Sequence, residues 1–89
     1  MDWIVNPEWN DQQPVNVGDI IHLKSRDAFK YLVKGIVMDV EPSRITARIE
    51  SIFDWPSHAE IKISTIKQVV GEVVSVTPEY IHNVIKKIE

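Results

Sequence analysis

Between positions 44 and 53 apolar and polar side chains alternate more regularly than anywhere else in the chain. Ile45, Ala47, Ile49, Ser51 and Phe53 share one side, and Arg44, Thr46, Arg48 and Glu50 share the other. A period of two predicts a β-strand with one buried face, and Ile52 alone breaks the polar side. Residues 59–64 alternate again after the turn-forming stretch Asp54-Trp55-Pro56-Ser57, which predicts an antiparallel partner for the first strand. Upstream, the turn chemistry of residues 14–19 introduces a short β-branched strand over 20–24. A longer apolar run over 29–41, with Val33, Ile36, Val37 and Val40, stops at Pro42-Ser43. Gly35 sits in the middle of that run, where a glycine signals a bulge or bend. A fifth strand is expected over 69–76 around Gly71, although Ile66, Val69, Val70, Val73 and Val74 also carry helical spacing.

At the end of the chain the pattern changes. Thr77-Pro78-Glu79 combines a capping residue, a proline suited to the first helical position and an acid in the first turn. Tyr80 or Ile81, Val84, Ile85 and Ile88 then recur at three and four residues, with Lys86 and Lys87 near the close, which predicts a C-terminal helix over 77–89. The expected fold is mainly β (α+β): a small five-stranded antiparallel barrel or strongly twisted sheet, capped by that one helix. The run from Val15 to Ile21, Val-Asn-Val-Gly-Asp-Ile-Ile, resembles the opening of SH3-like small barrels, and implies an SH3-like outline. Such barrels host unrelated functions.

With 89 residues the chain fits one domain, divided into an irregular N-terminal arm (1–16), a barrel or sheet (17–76) and the helix (77–89). Trp3, Ile4, Val5 and Trp9 make the arm too apolar for a disordered segment, so it is expected either to pack as a lid or to serve as a binding element. The absence of cysteine removes disulfides, thiolate metal sites and thiol nucleophiles, and points to a reducing, cytoplasmic location. No 18-residue apolar run and no basic, signal-like start occur, so neither membrane insertion nor secretion is expected.

Candidate chemistry is sparse. His22, His58 and His82 lie on separate elements without metal-ligand spacing, so no metal is expected. Three glycines write no phosphate-cradling or dinucleotide motif, so no cofactor is expected. Ser57 and His58 beside Asp54 have the residue types of a nucleophilic triad without its geometry, and no catalytic residue is assigned. The expectation is a protein that is not an enzyme. The loop carrying Asp54, Trp55 and His58 clusters a carboxylate, an indole and an imidazole on a turn, and with Trp9 it forms the predicted binding set. The alternative role for Trp55 is to fold back over the end of the core.

Charge adds a second possibility. The net charge of -3 opposes general attraction to phosphate backbones, yet the segment 24–34 gathers Lys24, Arg26, Lys30 and Lys34 against Asp27 alone. Its rings, Phe29 and Tyr31, would share a strand face opposite the lysines, which favours rings in the core. Two functions follow. The first is a protein-interaction module, binding a partner or a second copy of itself through exposed tryptophans or an open strand edge. The other is a small RNA or single-stranded DNA binder built on Lys24, Arg26, Lys30 and Lys34.

Overall fold

The computed structural model of the protein describes residues 3–9, 14–25, 31–54, 57, 59–60 and 70–86. Gly18 sets the start of the sheet with φ at 95°, a conformation open to glycine and strained for other residues. Asn16 and Asp19 lock this turn reciprocally: Asp19 N–H donates to the Asn16 carbonyl (3.0 Å), and Asn16 N–H donates to Asp19 Oδ2 (2.9 Å). The strands that follow are β1 (Ile20–Lys24), β2 (Tyr31–Val40), β3 (Ile45–Asp54), β4 (Val73–Val76) and β5 (Asn83–Ile85). They form one antiparallel sheet in the order β4-β3-β2-β1-β5.

Two parts of the expected architecture are corrected. The sheet is not a closed barrel, because β4 and β5 stand at its opposite ends and are not paired. Nor is there a C-terminal helix: Pro78–Tyr80 form a single 3-10 turn, and the chain becomes extended at Ile81, with φ -81° and ψ 124°. The start signals at Thr77-Pro78 do produce a helical turn, but β1 offers the following residues a ladder. His82 N–H donates to the His22 carbonyl (2.9 Å), and Asn83, Val84 and Ile85 pair with His22, Ile21 and Ile20. An isolated helix of about a dozen residues is marginal in water, whereas this strand buries Ile81 completely and packs Val84 on the core. The apolar stripe was real; the sheet uses it at a different period.

The predicted fifth strand starts later than expected. Gly71 lies in a turn with φ 91°, and β4 begins at Val73. Of the strand predicted over 59–64, Glu60 forms an antiparallel bridge with Phe53 and Ala59 O accepts from Asp54 N–H (2.8 Å), while 61–64 lie outside the described residues.

The β2–β3 pairing carries the feature that matters most for the surface. Lys34 pairs with Ser51 and Gly35 with Ile49, so Glu50 is an extra residue in β3. Ile45, Ala47 and Ile49 face inward before this bulge, and Ile52, at 2% exposure, faces inward after it. The alternation read from the sequence therefore breaks at Glu50, and Phe53 is turned out of the core. Gly35 sits across from the bulge because the strands are close there: a Cβ on it would lie 3.2 Å from the Ala47 Cβ and 3.4 Å from the Arg48 carbonyl oxygen. A second register shift falls between Val37 and Asp39, where Met38 is the extra residue and half-exposed.

Ile21, Leu23, Val33, Val37, Ala47, Ile49 and Ile81 are at most 1% exposed and centre the core. Within the described residues 3–9, the N-terminal arm is hydrogen-bonded to β1 and to the segment around the 3-10 turn. Ile4 N–H donates to Lys24 O (2.9 Å), Asn6 N–H to Glu79 O (2.8 Å), and Asn6 Nδ2 to Ile81 O (3.0 Å). His82 Nε2 lies 2.8 Å from the Ile4 carbonyl, which can only accept, so that nitrogen carries the proton. Trp3, half-buried and bridged to Ser25, packs on the core together with Trp9.

Candidate functional site

The hairpin β2–β3 is ten residues long on each side and has a concave feature at each end. At the Val40–Ile45 end, the arm leaves a groove of about 200 Å³ lined by Trp9, Val15, Val40, Glu41, Pro42, Ile45 and Pro78. Its wall is apolar apart from Glu41, an exposed residue at the rim. Trp9 reaches this position because its N–H donates to the Asn6 carbonyl (3.1 Å), and Asn6 is itself pinned to Glu79 and Ile81. The ring packs on the core, yet its Nε1 is buried with no hydrogen-bond partner among the described residues. A buried donor left unpaired is costly, and such groups in native folds call for an explanation.

At the Leu32–Phe53 end, a smaller cleft of about 170 Å³ opens on the outer face of the sheet between His22, Leu32, Lys34 and Phe53. Cross-strand register assembles it: His22 pairs with Lys34, Lys24 with Leu32, and Leu32 with Phe53. The Lys34 ammonium lies 5.4 Å from the Phe53 ring centroid, within cation–π range. Leu32 forms the apolar base of the cleft at 6% exposure.

Of the residues predicted to form a binding set, Trp9 is placed in the groove. Asp54 is at the other end of the hairpin, so the two do not converge. The Asp54 carboxylate is occupied locally: Oδ2 accepts from Ser57 Oγ (2.6 Å) and from Ser57 N–H (3.3 Å), the pattern of a side chain that fixes its own turn. Trp55 and His58 lie outside the described residues, as do Arg26 and Lys30 of the basic set. Lys24 and Lys34 fall on the outer face, but their aromatic neighbour is Phe53, since Tyr31 is buried. Sequence reasoning missed Phe53 because the period of two assigned it to the core. The signal available was Ile52, whose place on the polar side marks a shifted register. His22 and His82 prove to be neighbours at the β1–β5 junction, and among the described residues no three histidine, aspartate or glutamate side chains gather as a metal would require.

No protein-family model matches this chain, and no solved structure matches it. It is similar to gibberellin 3-beta-dioxygenase 1 of Arabidopsis thaliana, at 30% identity over 73 residues. That stretch is 82% of this chain but 19% of the relative, so the chain spans about a fifth of that protein's length. A likeness to so small a part carries no assignment of activity. Among the described residues, no helix is long and apolar enough to cross a membrane.

Proposed function

We propose that the protein is a non-enzymatic interaction module that holds an extended, proline-containing segment of a partner protein in the groove beneath its N-terminal arm. The observation that carries this reading is the Trp9 indole nitrogen, a buried donor without a partner among the described residues, beside an apolar groove. It needs an acceptor, and because the nitrogen is buried, an incoming carbonyl reaches it as the indole turns toward the groove on binding. A helix uses its backbone carbonyls internally and a strand engages them in its ladder, whereas a polyproline-type segment keeps them free to accept from an indole. Pro42, Pro78 and Trp9 offer flat apolar surfaces of the kind such segments pack against, and Glu41 at the rim favours a lysine or arginine on the incoming chain.

The test is a nuclear magnetic resonance titration with an acetylated, amidated proline-rich peptide carrying one arginine, following the Trp9 Nε1–H signal. A saturable downfield shift of that signal, lost for the other resonances in Trp9→Phe, is expected. No perturbation around Trp9 with this peptide, alongside an unchanged spectrum with an alanine-based control, would sink the reading. A segment of a second copy meets the same chemistry, and light scattering over a concentration series separates self-association from binding of another protein.

A further inference from the structure

The cleft on the outer face lies at the opposite end of the hairpin from the Trp9 groove and has different chemistry. The Glu50 bulge turns Phe53 out beside Lys34, and the register puts Lys24 in the same cross-strand row through Leu32. An aromatic ring on a sheet face, with ammonium groups on two neighbouring strands, matches the two demands of a nucleic-acid single strand: a surface for a base and cations for the flanking phosphates. We infer that this face binds single-stranded nucleic acid, with a base stacked on the Phe53 ring and the adjoining phosphates at Lys34 and Lys24.

The local charge supports the assignment. Within a chain whose net charge is -3, the sequence from Lys24 to Lys34 carries four basic side chains against Asp27, so positive charge is locally dense along the segment that begins and ends with these two lysines. Two carboxylates border the ring, Asp54, which accepts from Ser57, and exposed Glu60, which lies across from Phe53 in an antiparallel bridge, so the phosphates are assigned to the Lys34 and Lys24 side of the ring. Lys34 sits over the Phe53 ring in the unbound protein, which holds the ammonium near the place where a phosphate would arrive. Phe53 is half-buried, and a base stacks on the open part of such a ring more strongly than an ammonium does, so the base takes the ring and the ammonium moves to the phosphate. At about 170 Å³ the cleft is smaller than the pockets of roughly 300–1,000 Å³ that enclose whole small molecules. It accommodates one ring and leaves the rest of the ligand lying across the sheet, which favours a polymer over a free nucleotide.

Fluorescence anisotropy with a labelled oligothymidine of about 12 nucleotides tests this at low and at physiological salt. The full chain is expected to bind, with affinity falling as salt rises. Phe53→Leu is expected to weaken binding about 10-fold while keeping the salt dependence, and Phe53→Tyr to restore it, which separates loss of stacking from loss of fold. Lys34→Gln is expected to make the salt slope shallower by about one. No binding at low salt, equal affinity for Phe53→Leu and Phe53→Tyr, or thymidine monophosphate binding as tightly as the oligomer would each overturn the inference. Because Trp9→Phe leaves this face intact, oligonucleotide binding by that variant is expected to be unchanged. The two sites therefore fail or succeed separately.

Discussion

The ammonium of Lys34 lies 5.4 Å from the ring centroid of Phe53, a side chain that an uninterrupted β3 would direct to the other face of the sheet. Glu50 alone makes the difference, since one extra residue reverses the facing of everything beyond it. Deleting Glu50 removes the extra residue but leaves Ser51 opposite Lys34, Ile52 inward and Phe53 outward, so it is expected to keep the Lys34–Phe53 contact and to shift stability by no more than about 1–2 kcal/mol. Urea denaturation checks this. Loss of the Arg48–Glu50 pair contributes little to any change, because both side chains are exposed, at 51% and 37%.

Ile81 follows the 3-10 turn and is fully buried. Ile81→Ala is expected to cost about 2–5 kcal/mol, read as a lower denaturation midpoint at constant slope. A loss below about 1 kcal/mol would mean that the C-terminal strand is peripheral to the cooperative unit.

The arm depends on Asn6, whose side-chain amide donates to the Ile81 carbonyl and whose Oδ1 accepts from Glu8 N–H (3.1 Å). Asn6→Ala is expected to destabilise the protein by about 1–2 kcal/mol and to speed hydrogen exchange at the Ile4 and Asn6 amides before the rest of the sheet opens. Uniform exchange across the sheet would contradict a separately opening arm.

Asp19 is 3% exposed and its carboxylate accepts from Asn16 N–H and from Lys86 Nζ (2.8 Å), while Lys86 Nζ also donates to the Pro14 carbonyl. Asp19→Ala is expected to cost about 2–4 kcal/mol, since it strips the acceptor from a turn and from a partly buried cation together. Lys86→Met is expected to cost less than Asp19→Ala and more than a typical surface substitution. Thermal unfolding ranks the two.

Trp9→Phe keeps most of the packed ring and removes the unpartnered indole donor. Its unfolding free energy without ligand is expected to stay within about 1 kcal/mol of the parent. Calorimetry comparing this variant with Trp9→Ala, expected to lose about 3–5 kcal/mol, separates the packing of Trp9 from its polar end.

The local turn and strand signals were legible because they depend on neighbouring residues. Gly18-Asp19 gives the turn, residues 20–24 give β1, and Pro42-Ser43 closes β2. What was hidden depended on distant pairing. Ile81, Val84 and Ile85 satisfy a helical stripe until β1, some 60 residues earlier, is present to accept them as a strand. The bulge left one trace, Ile52 on the polar side, and without a partner strand that trace reads as an exception. Of the candidate sites, Trp9 was legible as an aromatic too large to leave unpacked, and the lysines were legible as a charge cluster. The placement of Phe53 beside Lys34 followed only from the register.

The arm and β5 also set an order of events in folding. Ile20 pairs with Ile85, and Ile4 meets His82 across 78 positions, so the final contacts join the two most distant parts of the described chain. Loop closure on that scale is entropically expensive until intervening strands have shortened the gap, and non-local pairing slows folding. During synthesis, the β1–β2–β3 meander can form first, but its first strand keeps an uncovered edge until residue 85 has left the ribosome. The nascent chain is thus most prone to mispairing at β1, the strand that is made first and completed last.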